Sequence, residues 1–327
     1  MSDRLLDIII PHWTEPWEDG KKMFDSLAAQ RRVDLGQIRV ILVEDGEENQ
    51  VFPEIAKAGY PYEIIGHVIP HAGVSAARNH GLENSTAKWI MFCDFDDCFP
   101  NIYSLHSIMK LLETDDYDML WSPFYVETDS MVDIRKDLNW LFIHAKIFRR
   151  EWIMEHSIRF PVGLSYAEDT VFCRLCEMEI QPARLGKITG EVIPYVWTLR
   201  RDSVSMDPAG VFRRGVMLFR RQGIVAEECL KRGRAAIHDG LITRAMCDAY
   251  ITLLREDITE DRGEFEEEVR AFWREKHAQM DTSVGMMETA WNGAIREGMA
   301  PRELREIDGF MRWMNQIAKE EADNNGI

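Results

Sequence analysis

No stretch of this chain approaches the ~20 consecutive apolar residues that a membrane-spanning helix needs, so no transmembrane segment is expected. Met1, Ser2, Asp3 and Arg4 lead straight into a short apolar run, without the layout of a signal peptide. Cysteine is scarce. The six present (Cys93, Cys98, Cys173, Cys176, Cys229 and Cys247) fit reduced thiols in a core and not a disulfide framework. These absences together predict a cytoplasmic protein. Positive charge is also short: 39 Lys and Arg face 56 Asp and Glu, for a net charge of -17. Such a balance repels the nucleic-acid backbone and gives anionic lipid no general attraction, although peripheral association at the inner membrane face through a local basic patch stays open. Internal repeats and low-complexity tracts are missing too. With 46% hydrophobic and 29% charged residues over 327 positions, the composition excludes disorder and suits one large domain plus an appendage.

Acidic residues are what the chain has in useful places. From Lys88 to Asp97 an apolar strand delivers Asp94, Asp96 and Asp97 onto one short turn. Carboxylate oxygens are hard ligands, and one or two of them can hold Mg²⁺ or Mn²⁺ against a substrate diphosphate. The implied ligand is a metal-bound nucleotide. An acidic turn that caps the following helix explains the same residues, because Asp there accepts backbone N–H bonds and faces the positive dipole end. From these residues alone both readings stand.

Periodicity predicts an α/β architecture for the first half. Strands are expected at Leu5 to Ile10, Ile38 to Val43, Tyr62 to Ile69 and Trp89 to Cys93, and helices near Glu18 to Arg31, Pro53 to Ala58 and Val74 to Asn84. Asp45 and the run Asp94 to Asp97 then fall at strand C-termini, where an open α/β sheet places ligands. Between Tyr117 and Leu199 the pattern is irregular, with strand-like pieces at Met119 to Glu127, Phe142 to Phe148 and Val192 to Leu199 around a helix from about Asp169 to Met178. From about Asp207 it becomes helical: Ile237, Leu241, Ala245, Ala249 and Leu253 recur every four residues. Further helices are expected at Val211 to Lys231, Phe265 to His277 and Arg302 to Lys319. This divides the chain into an α/β domain over residues 1–206 and a helical subdomain over 207–327.

The ordered set of segments resembles the family 2 type glycosyltransferases of the GT-A fold, over roughly Leu5 to Met206. The set comprises Ile8 to Pro11, Val43 to Gly46, Gly73 to Gly81, the counterpart of the DXD element at Asp94 to Asp97, and the acceptor-side segments His144 to Arg150, Ile158 to Pro161 and Ala167 to Phe172. A late Arg/Ser segment, Arg200 to Ser205, completes it. The resemblance implies a mixed sheet flanked by helices, and an inverting, metal-dependent transfer of sugar from a nucleotide-sugar, a UDP-sugar by expectation, to a glycan or other hydroxyl acceptor, as in polysaccharide biosynthesis. It implies Asp45 on the base or ribose, Pro11 framing the nucleotide pocket, and Arg78 reaching the nucleotide. Asp94 is placed near the ribose or a metal-bound water, Asp96 as principal metal ligand, Asp97 as second ligand, and Arg200 and Arg201 on the diphosphate. Asp169 matches the position of the base.

Each residue has a plainer reading. Asp45 before Gly46 suits a turn, Arg78 suits packing, and Glu168 with Asp169 suits a helix start. Cys173 and Cys176 have zinc-knuckle spacing but lack a second pair, and read as buried thiols. His144 and His71 lie near the motifs with packing or surface roles as the default. Two rivals remain: a catalytically silent nucleotide-sugar-binding or assembly protein on the same fold, and a haloacid-dehalogenase-like phosphatase. The second is disfavoured because the aspartate loop comes after three βα units and carries Cys98 where a Thr is usual.

Overall fold

The chain was analysed as a computed structural model, which describes residues 4–114, 116–128, 131–188, 193–199, 210–254, 262–276, 283–296 and 307–324. Two compact units are present, Met1–Ser203 and Val204–Ile327.

In the first unit β1 (Leu6–His12), β2 (Ile38–Asp45) and β4 (Trp89–Phe92) are buried along their whole length. Continuous apolar runs of this kind belong to parallel strands covered on both faces. With β3 (Glu63–Ile69), β5 (Met119–Trp121), β8 (Lys146–Arg149) and β9 (Leu185–Lys187) they form a seven-stranded sheet in the order β3-β2-β1-β4-β8-β5-β9. Every neighbouring pair is parallel except those made by β8, which runs antiparallel to β4 and β5. β3 is the half-exposed edge. Helices α1 (Trp17–Ala28), α2 (Phe52–Ala58) and α3 (Val74–Asn84) follow β1, β2 and β3. α3 lies close on β1 because position 81 is glycine: a Cβ there would stand 2.4 Å from Ile9 Cγ2.

The irregular middle resolves into short elements. Met119 to Glu127 is two strands and not one: β5 stays in the large sheet while β6 (Phe124–Glu127) joins β7 (Val132–Arg135) and β10 (Val196–Thr198) in a second, three-stranded sheet. The break falls at Ser122 and Pro123, and proline cannot donate to a ladder. The strand expected from Phe142 begins only at Lys146, because Ala145 takes a left-handed conformation with φ of 54°. Helices α4 (Ser104–Leu112), α5 (Arg150–Glu155) and α6 (Glu168–Glu179) complete the layer. At the sheet's amino end Asp7 is fully buried, accepts two bonds from Arg39 (2.9 and 2.7 Å) and also takes Ser85, Thr86 and Ala87. Burial works against its ionised form, but Arg39 and these donors hold the carboxyl below its usual range.

The second unit is helical: α7 (Val211–Lys231), α8 (His238–Leu253), α9 (Arg262–Lys276), α10 (Val284–Arg296) and α11 (Ile307–Asn324). α8 carries the expected stripe, with Ile242, Ala245, Met246, Ala249 and Leu253 buried. α10 was not expected from the sequence. Among the described residues no helix is long and apolar enough to cross a membrane.

Candidate active site

The acidic turn follows β4 at the carboxyl edge of the sheet. Cys93 N still bonds Ile9 O (3.1 Å), and Asp97 N returns to Asp94 O (3.3 Å) to close the turn. Phe95 is its anchor. The ring is buried against α1 over Gly20, where a Cβ would lie 2.1 Å from it. The three carboxylates thereby separate: Asp94 keeps 28% of its side chain exposed, Asp96 is half-buried and Asp97 is fully buried.

Asp97 ties this turn to β10. Its Oδ2 accepts from Tyr195 Oη (2.5 Å), its Oδ1 accepts from Thr198 N (2.8 Å), and Asp94 N in turn donates to Tyr195 Oη (3.3 Å). Burial, then the charges of Asp94 and Asp96, push the Asp97 carboxyl well above the usual carboxylate range. His144 lies beside it, with Nδ1 3.7 Å from Asp97 Oδ2. Burial lowers the His144 imidazole to about 4, so the ring is neutral at pH 7.

Arg78 comes from α3 and turns inward. One terminal nitrogen donates to Asp94 Oδ1 (2.8 Å) and the other to Glu168 Oε1 (2.6 Å), while the guanidinium lies 5.2 Å from the centre of the Phe160 ring. Only 4% of the residue is exposed. Burial opposes the ionised form of Asp94, yet the Arg78 charge and its hydrogen bond hold the carboxyl below the usual range. Next to Arg78, Asn79 exchanges two bonds with the Phe160 backbone (2.8 and 3.0 Å), which pins the segment before α6 against α3.

Asp169 sits in the first turn of α6, beside Glu168. Its Oδ1 accepts from Thr170 N (2.7 Å) and its Oδ2 from Ile143 N (3.3 Å), so the carboxylate is aimed by two backbone amides. Burial raises it first, and the neighbouring Glu168 charge adds to this, so that despite Arg78 its carboxyl rises to about 7. A partly exposed carboxylate poised near neutrality has the properties of a general base.

Asp45 ends β2 and is buried. Its oxygens accept from Ala72 N (2.7 Å) and Gly73 N (2.8 Å), and His71 Nδ1 lies 2.9 Å from Oδ2. The Asp45 carboxylate thus ties the end of β2 to the loop before α3 and not to its own turn. Trp13 stacks on His71 with centroids 4.7 Å apart. Pro11 pairs with Val43 in β1, beyond the last β4 partner at Ile9, so its missing N–H costs no ladder bond. Arg200 and Arg201, with Ser203 and Ser205, lie outside the described residues.

Sequence reasoning placed Asp45, Asp94, Asp96 and Asp97 at this edge, and the family resemblance added Asp169. It missed the ion pair of Arg78 with Glu168, the Asp97 tether to Tyr195 and the closeness of His144 to Asp97. Those contacts join residues 90, 98 and 47 positions apart, and no local signal marks them. The donor set fits a divalent cation. Asp94, Asp97 and His144 each offer a ligand atom, all within 4.8 Å of one another, and the buried His144 Nδ1 has no hydrogen-bond partner. Carboxylate oxygens suit Mn²⁺ or Mg²⁺, and an added imidazole nitrogen favours Mn²⁺.

The description of glycosyl transferase family 2 matches residues 7–173. The uncharacterised glycosyltransferase YibD of Escherichia coli K12 is 26% identical over 197 residues, covering 51% of this chain and 55% of that protein. The chain thus spans about half the length of the curated relative it matches. Among solved structures, TarS residues 1–349 of S. aureus with UDP-GlcNAc superposes with a TM-score of 0.64 at 16% identity, covering 98% of this chain and 92% of that one. The mannosyltransferase PcManGT of Pyrobaculum calidifontis, with GDP-Man and Mn²⁺, reaches 0.50 at 13% identity, covering 90% and 87%. Both share the fold. With residues 7–173, half of its length, matched, the chain belongs to glycosyl transferase family 2.

Proposed function

We propose that this protein is an inverting, metal-dependent glycosyltransferase that moves a sugar from a UDP-sugar to the hydroxyl of a glycan acceptor, with Asp169 as general base. The observation that carries the reading is Asp169 itself: aimed by Ile143 N and Thr170 N, raised to about 7, and linked to the acidic turn through Glu168, Arg78 and Asp94. The carboxylate takes the acceptor proton as that oxygen bonds to the anomeric carbon. The nucleoside diphosphate leaves from the opposite face in the same displacement, so the configuration inverts.

Asp94 and Asp97, whose ligand atoms lie within 4.8 Å of each other, would hold Mn²⁺ or Mg²⁺, with Asp96 on the same turn as a further ligand. Such a cation supplies Lewis-acid stabilisation of charge on the leaving diphosphate. Asp45 and Pro11 hold the base and ribose end. Arg200 and Arg201 are assigned to the diphosphate because guanidinium pairs well with phosphate oxygens. Arg78 is assigned inward, as the cation that keeps Asp94 ionised and Glu168 in place, and not to the nucleotide. A cytoplasmic location, at the inner membrane face when the acceptor is anchored there, goes with this reading. UDP-GlcNAc in TarS and GDP-Man in PcManGT support a nucleotide-sugar donor without deciding which.

Thermal unfolding with Mn²⁺ and a panel of nucleotide-sugars tests the donor, since a true ligand raises the melting temperature by mass action. A shift with one UDP-sugar, followed by transfer with inverted anomeric configuration, is the expected result. Binding without turnover of any hydroxyl acceptor would favour a silent binding protein.

A further inference from the structure

We infer that His144 is a nitrogen ligand to the divalent cation, so that the metal site joins the acidic turn to the segment before β8. The inference rests on the metal-dependent reading above. Its geometry is independent of the donor.

His144 is 4% exposed, and aromatic rings fix its plane. Trp197 stacks on it at 4.7 Å and 20°, Tyr195 lies nearly parallel at 6.0 Å and Phe142 at 6.1 Å, and Phe124 tilts in at 5.6 Å. Inside that cage Nδ1 is buried with no hydrogen-bond partner. Most buried polar nitrogens find a hydrogen-bond partner, so an unpartnered one beside two carboxylates calls for a ligand. Asp97 Oδ2 lies 3.7 Å away, too far for a hydrogen bond, and already accepts from Tyr195.

A metal accounts for the spacing. Ligand atoms around one octahedral ion with bonds near 2.1 Å stand roughly 3 to 4 Å apart. The atoms offered by Asp94, Asp97 and His144 lie within 4.8 Å of one another, so a contraction of about 1 Å brings all three to one ion. Asp94 has an oxygen to spare, since Arg78 engages only Oδ1. The second lone pair of Asp97 Oδ2 is likewise open to a cation. An imidazole nitrogen shifts the site away from purely hard-oxygen binding, toward Mn²⁺ and Co²⁺ over Mg²⁺.

Electron paramagnetic resonance of Mn²⁺ on the full chain, with and without UDP and in a nitrogen-free buffer, reads the ligand directly. The expected result is a pulsed spectrum with ¹⁴N modulation of a coordinated imidazole that His144→Gln removes, and Mn²⁺ affinity lowered roughly tenfold or more in that variant. Because the wild-type spectrum decides first, a poorly folding variant does not rescue the claim. Bound Mn²⁺ without ¹⁴N modulation, or with modulation that survives His144→Gln, overturns the ligand role and leaves the metal-dependent reading standing. No Mn²⁺ binding, even with UDP, overturns both.

Discussion

At the scale of single residues, the site depends on carboxylates held in unlike environments. Asp94, beside Arg78, is kept below the usual carboxylate range, whereas Asp169 is raised to about 7. Groups pushed apart in this way can take different roles at one pH. The sign follows for activity: transfer requires ionised Asp169, so kcat/KM should rise with pH along an acid limb centred near 7, and a limb centred near 4 would contradict the assignment. The sign for stability is the reverse. A carboxyl whose folded pKa is raised favours the fold below its unfolded pKa, near 4, and loses that contribution as pH rises through about 7. Asp169→Asn should therefore gain melting temperature over the wild type at pH 8 relative to pH 5; an unchanged difference would show that the carboxyl is not desolvated. Arg78→Lys cannot bridge Asp94 and Glu168 with two nitrogens, and we expect kcat to fall by about tenfold or more, since this loses one charge-assisted bond.

At the scale of elements, four strands of the large sheet could be read in the sequence, and three of them are buried along their whole length. β1, β2 and β4 are covered on both faces, so their apolar runs announce them. Asp45 and Asp94 to Asp97 could be placed at the carboxyl edge for the same reason. What could not be read was decided by contacts distant in sequence. β5, β8 and β10 are three or four residues long and exist through their partners. The switch between sheets at Pro123 and the left-handed Ala145 are backbone events with no periodic signature. The same limit hid His144, whose ring is caged by Tyr195 and by Trp197 of β10, some fifty residues away. Close approach is testable at one point. Gly81→Ala puts a methyl 2.4 Å from Ile9 Cγ2 and should cost about 1–3 kcal/mol by chemical denaturation; a neutral result would mean that α3 has room to move off β1.

At the scale of the whole molecule, the two units differ in kind: one is built on a mixed sheet with an acidic carboxyl edge, the other is a helical unit organised on α8. The first contains every described residue of the site. Its amino end depends on the buried pair of Asp7 with Arg39. Removing only the cation by Arg39→Met leaves a buried carboxylate uncompensated and should cost about 3–5 kcal/mol. Because the Asp7 carboxyl is held below its usual range, that cost is present above about pH 4 and fades as pH falls below it. The central claim is that Asp169 removes the acceptor proton. The most direct test is transfer by Asp169→Asn at saturating donor and Mn²⁺, using the nucleotide-sugar that most stabilises the wild-type chain. We predict donor affinity within about twofold of the wild type and transfer reduced by at least about a hundredfold; transfer at the wild-type rate would contradict the account.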